Sequence, residues 1–195
     1  GIIELATAHW LATTEVLEIS SESSIRVSNS VVLDGDIQIR ITPTTIPQDW
    51  LLIDATELVN NFSTYSVDWS RSELICWATR LLNDTSWVMR FMGCLTVSSS
   101  EQGALHRTGH YYLRGSQTLE MRSDQSLIIH QGAVTLSSGS FKLNIVRGTA
   151  PGVVALINVL DDELIDTFGG IALNYTSKRI CEAQVQYTSN QVQVL

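Results

Sequence analysis

Four histidines, three cysteines, five tryptophans and a run of carboxylates are the side chains in this 195-residue chain that could be assembled into chemistry. His106 and His110 stand four apart, with Gly109 between them. On a helix that spacing puts two imidazoles on one face, where they can share a metal ion, but Gly109 disfavours a helix and the stretch reads as strand. On a strand they still share a face, though about 13 Å apart at roughly 3.3 Å per residue. A surface or interface pair of histidines is the expectation. Asp161-Asp162-Glu163 needs help from other segments to wrap a cation and reads as a solvated loop. No serine sits in a nucleophile elbow and no cysteine in an activating motif. Gly169-Gly170 reads as a turn rather than a phosphate cradle. Trp50, Trp69, Trp77 and Trp87 lie in apolar stretches and read as core rather than as a ligand platform. These residues predict no catalytic constellation, no cofactor and no metal site.

The three cysteines, Cys76, Cys94 and Cys181, show no short ligand spacing. An odd count spread through apolar elements predicts reduced, buried thiols in a reducing compartment.

The stretch from Trp69 to Val97 changes period in its middle. Leu74, Trp77, Ala78, Leu81 and Leu82 recur at three-and-four spacing, which predicts a helix over 70–83. Ser70 and Glu73 form its capping box, and Asn83-Asp84 ends it. A strand interrupted by Gly93 follows from Trp87 to Val97. Upstream, residues 24–33 and 36–42 alternate apolar with polar around Asp34-Gly35, the signature of a tight hairpin. Further strands are expected near 50–59, 106–113, 126–131, 141–146, 153–160, 171–175 and 182–187, with a polar turn at 98–103. No internal repeat is evident. Many short strands, regular turns and one or two short helices predict a mainly β protein, an antiparallel sandwich or barrel.

The net charge is −8, and residues 1–70 carry all of it, with ten acids against Arg26 and Arg40. An acidic first third repels phosphate, so no nucleic-acid-binding arm is expected at that end. A charged fraction of only 16% suits surface that partners cover. No apolar run is long enough to span a membrane.

Leu81-Leu-Asn-Asp-Thr-Ser-Trp-Val-Met-Arg-Phe-Met-Gly-Cys-Leu-Thr-Val97 resembles the passage from first helix to next strand in jelly-roll coat proteins of picorna-like viruses. The flavour is that of the plant-infecting comovirus, nepovirus and cheravirus group. The resemblance implies an antiparallel eight-stranded jelly roll over residues 50–195, preceded by an arm and hairpin over 1–49, together one structural domain. It implies a capsid subunit of a small icosahedral RNA virus, not an enzyme. Such a subunit packs with copies of itself or sister coat proteins in a virion assembled in the host cytoplasm. Encapsidated RNA is then a partner, though not through a basic arm in this chain, and no membrane is involved. A start at Gly1 suits a polyprotein product or a trimmed chain. The structural residues in this reading are Trp77, Leu81, Trp87, Phe91 and Gly93, with Gly93 crowded by a neighbouring backbone or side chain. The alternative is a soluble β-sandwich that binds a ligand, lectin-like or cupin-like.

Overall fold

The computed structural model describes residues 2–6, 9–11, 15–19, 24–41, 47–70, 74–147, 149, 152–175 and 182–195; at 3, 9–11, 15–19, 35–37, 41 and 60–63 it describes backbone alone. The chain is mainly β, as expected, and no helix occurs among the described residues. It forms two compact units, Gly1–Gly93 and Cys94–Leu195.

The first unit holds β1 (Ile2–Leu5), β2 (His9–Leu11), β3 (Glu15–Ile19), β4 (Ser24–Ile41), β5 (Asp49–Asp68), β6 (Ile75–Leu82) and β7 (Ser86–Cys94, ending at the boundary). The expected hairpin at Asp34-Gly35 is absent. β4 runs through both residues, because its two halves pair outward instead of with each other. On one side Ile2 faces Ser24, His9 faces Val31 and Glu15 faces Ile37, all parallel and always by the same step along the chain. On the other side β4 lies parallel to β5. Val27, Val31, Leu33 and Ile39, all at odd positions, are buried on one face of β4, the period of two that a half-buried strand requires.

Among the described residues of 70–83 the expected helix is also absent. Its place is taken by β6, antiparallel to β7. Ile75, Trp77 and Thr79 favour strand geometry, and a partner strand satisfies their backbone groups, so tertiary pairing overrides the helical spacing. The Ser70 N–H and hydroxyl both donate to the Asp68 carboxylate. Glu73 lies outside the described residues. Asn83 does make a turn, but between two strands. Its Oδ1 accepts the backbone N–H groups of Thr85 and Ser86, at 2.9 and 2.7 Å.

Cys76 and Cys94 are both disulfide-bonded. With Cys181 the chain's one other cysteine, they can only be bonded to each other. The prediction of reduced thiols is thereby overturned, because the β6–β7 pairing brings together residues that sequence spacing keeps apart. Closing a loop of this size restrains the unfolded chain by roughly 3 kcal/mol. Cys181 lies outside the described residues.

In the second unit the chain winds through three coils, each laying one strand in each of three sheets. The first coil is β8 (Gly103–Thr108), β9 (Tyr111–Tyr112) and β10 (Thr118–Arg122). The second is β11 (Gln125–His130), β12 (Val134–Thr135) and β13 (Ser140–Ile145), and the third β14 (Val154–Val159), β15 (Leu164–Ile165) and β16 (Gly170–Tyr175). Every coil-to-coil pairing is parallel. Gly103 faces Gln125 and Thr118 faces Ser140, the same step that β1, β2 and β3 make onto β4. The next step is longer, Leu127 to Ile157 and Ser140 to Gly170, the surplus lying in the connection 146–153. β18 (Gln191–Val194) then pairs antiparallel with β14, and β17 (Val185–Tyr187) antiparallel with β18.

The sheets are therefore mixed, and the purely antiparallel pairing of the expected eight-stranded jelly roll is not what they show. Parallel pairing needs a crossover between partners, and here the other two sides of each coil supply it. In-register coils stack like on like. Leu105, Leu127 and Ile157 form one column, and Leu119, Phe141 and Ile171 another.

Candidate functional site

Two side-chain groups on described surfaces have the makings of a site, one in each unit.

In the first unit the group lies on β6. As the outer strand of a hairpin, β6 buries Ile75, Cys76 and Ala78 but leaves Trp77 and Leu81 at 41% and 43% exposed, with Leu74 just before it at 50%. Trp77 and Leu81, expected to pack inside, are therefore surface residues. The helical period had placed them with Ala78 on one buried face, whereas the strand's alternation turns them away from it. Trp87 and Phe91 are fully buried, and Gly93 is buried opposite Ile75. Of the four tryptophans named above, two are buried, Trp69 is half-buried against the core and Trp77 is exposed. Trp50 and Trp87 are core, with Trp50 edge-on to Phe91 at 6.3 Å. Trp69 and Trp77 make a tilted corner, ring centroids 6.0 Å apart at 58°. Nearby on the same strand, the Arg80 guanidinium stands 4.7 Å over the Tyr65 ring, a cation–π pair.

In the second unit the histidines are re-sorted. His110 is buried at a coil corner, where its Nδ1 accepts the Ala133 N–H at 3.0 Å. His106 meets His130 of the next coil instead, Nδ1 to Nε2 at 2.9 Å with the rings stacked. Sequence reasoning missed this pairing because it depends on the coil length. No local spacing signals two residues that lie a whole coil apart.

Beside them, the turn before β8 is tied down by Glu101. Its carboxylate accepts the Arg107 guanidinium at 2.5 Å and the Ser98 N–H at 2.8 Å. The hydrogen bond from Arg107 first, and that from Ser98 second, hold the Glu101 carboxyl below its ordinary value of 4.5. Buried Gln125 completes the turn, donating through Nε2 to the carbonyls of Ser98 and Glu101. A depressed carboxyl stabilises the fold above its unfolded value and loses that contribution as pH falls through the folded one. Urea unfolding followed from pH 6 downward is therefore expected to show a shallower acid decline in Glu101→Gln than in the parent. Identical slopes would mean that the clasp contributes nothing.

On the outer face of β10 and β13, Asn144 donates to Glu120 at 2.6 Å and Lys142 pairs with Glu120 at 3.1 Å. The Asn144 hydrogen bond foremost, then Lys142, lowers the Glu120 carboxyl. Asn174 continues the row, donating to Asn144 Oδ1 at 3.0 Å. Burial raises the phenols of Tyr111 and Tyr187.

The remaining candidates are structural. Asp161 accepts the Gln131 N–H, and Asp162 the Glu163 N–H, within the turn from β14 to β15. At Gly169 a Cβ would run into the Ser138 carbonyl oxygen, so this glycine lets two coil corners touch. Among the described residues, no three His, Cys, Asp or Glu side chains gather into a group that could hold a metal ion. Compared with known proteins, the chain matches no family model, no curated protein and no solved structure.

Proposed function

We propose that this chain is a structural subunit, one that works by packing against copies of itself or sister chains, and that its setting is a virus particle. The observation that carries the reading is the set of large apolar side chains left exposed along one short segment, Leu74 just before β6 and Trp77 and Leu81 on it. Large apolar side chains grouped on a surface mark a place where another protein packs. The low charged fraction of 16% favours the same use. In this reading the stacked coils of the second unit form the wall of the subunit, in place of antiparallel jelly-roll sheets. The Cys76–Cys94 disulfide suits a particle exposed to oxidising surroundings, as virion and cell surfaces are. The acidic first third leaves RNA contact to other chains.

A second reading, glycan binding, is favoured by the Trp69–Trp77 corner, since tilted aromatic faces with polar neighbours can stack on sugar rings. One pair of measurements separates the two. Under the structural reading, light scattering of the parent chain gives oligomers or shells, and electron microscopy of the source material gives particles. Leu81→Glu then disperses the assembly to monomers that keep the parent's β circular-dichroism spectrum, because Leu81 is exposed. A parent chain that stays monomeric, with no particles in the source, would sink the structural reading. A glycan-array signal that Trp77→Ala abolishes would replace it with the second.

A further inference from the structure

His106 lies on β8 and His130 at the end of β11, adjacent parallel strands in which His106 faces Ile128 and Thr108 faces His130. The two imidazoles are thus diagonal neighbours on the outside of successive coils. Their rings are nearly parallel, 21° apart with centroids at 5.2 Å, and Nδ1 of His106 is 2.9 Å from Nε2 of His130. Two lone pairs cannot face each other at that distance, so one ring holds a proton between them. With that proton displaced and the rings turned, a metal ion can bridge the two nitrogens from beside the line that joins them.

We propose that His106 and His130 form a two-imidazole site for a divalent transition ion, Cu(II) in preference to Zn(II). The preference follows from the general affinity order for first-row ions at nitrogen sites, with Cu(II) at its top. On binding, the ring that donated carries its N–H on the outer nitrogen instead, and both inner lone pairs turn toward the metal. His106 is exposed and His130 half-buried, so solvent can supply the other coordination positions. The neighbouring Arg107 cation is held by Glu101 at 2.5 Å, which reduces its repulsion of the ion.

The test is calorimetric titration of the full chain with Cu(II), Ni(II) and Zn(II) salts in a non-coordinating buffer, with electron paramagnetic resonance of the Cu(II) form. One Cu(II) per chain is expected, with hyperfine coupling to two imidazole nitrogens. Binding should weaken in the order Cu(II), Ni(II), Zn(II), and by about tenfold or more in either His106→Ala or His130→Ala. Because either variant could alter the coil edge, the parent supplies an independent reading. Substoichiometric Cu(II) should broaden the ring signals of His106 and His130 in its NMR spectrum while sparing those of His110. Absence of Cu(II) binding, tighter binding of Zn(II) than of Cu(II), broadening confined to other residues, or unchanged affinity in both variants would overturn the proposal.

Discussion

Replacing Gly132 with valine is expected to cost the second unit more than the usual 1–3 kcal/mol of an overpacked core, about 3 kcal/mol or more. The reason lies at one corner of the coil stack. A Cβ on Gly132 would lie 2.7 Å from the His110 nitrogen, and closer still to the carbonyl carbon and oxygen of Gly109. Those atoms are backbone, and they cannot swing aside as a flexible side chain could. The Gly109 N–H donates to the His130 carbonyl at 3.0 Å, and the Tyr111 N–H to the Ala133 carbonyl at 2.9 Å, so both coils are pinned on either side of the contact. Gly109 itself has a φ of 103°, a conformation that β-carbons oppose. Even alanine brings the offending atom, so Gly132→Ala should lose most of what valine loses. Urea unfolding monitored by circular dichroism measures both. An alanine variant with the parental midpoint would show that the corners do not stack this closely.

Phe141→Ala is expected to destabilise by about 3–5 kcal/mol, the cost of emptying a large buried ring site. Phe141 is 1% exposed, lies in register between Leu119 and Ile171, and stacks on Phe168 with ring centroids 4.6 Å apart. The same truncation one coil later should cost far less, because Ile171, though in the same column, is 45% exposed. The contrast between the two variants tests the coil register itself. Equal losses at Phe141 and Ile171 would contradict a column that is closed in the middle and open at its last strand.

Most strands of the second unit are legible in the sequence because each obeys a local rule. Leu127 and Ile129, and then Phe141, Leu143 and Ile145, alternate with polar neighbours and are buried as alternation requires. Which strands pair is not legible. The step from coil to coil is a matter of register, and side chains of different identity fill equivalent places, Leu119 beneath Phe141 for example, so no repeat announces itself. The same gap explains the sites. His110 drew notice for its nearness in sequence to His106, whereas His130 does so only once one coil is laid on the next. Asp34-Gly35 misled because turn chemistry permits a turn without compelling one, and β4 has partners on both sides to hold it extended. Residues 74–82 misled because period and propensity disagreed. The β-prone Ile75, Trp77 and Thr79, given β7 as a partner, outweighed the spacing of the leucines.

The unequal coil lengths carry an implication for how such a chain can change. The pairings between second and third coils all shift together, by one common and longer step, so the ladders on three faces are indifferent to what the connection 146–153 contains. Residues added there lengthen a loop, and each doubling of loop length costs only about 0.6 kcal/mol in closure entropy. A single residue inserted within β11 or β13 would instead turn every following side chain of that strand inside out. The fold thus separates cargo from frame: foreign sequence spliced between β13 and β14 would lengthen only that connection, while the frame of paired strands admits change only in whole coils.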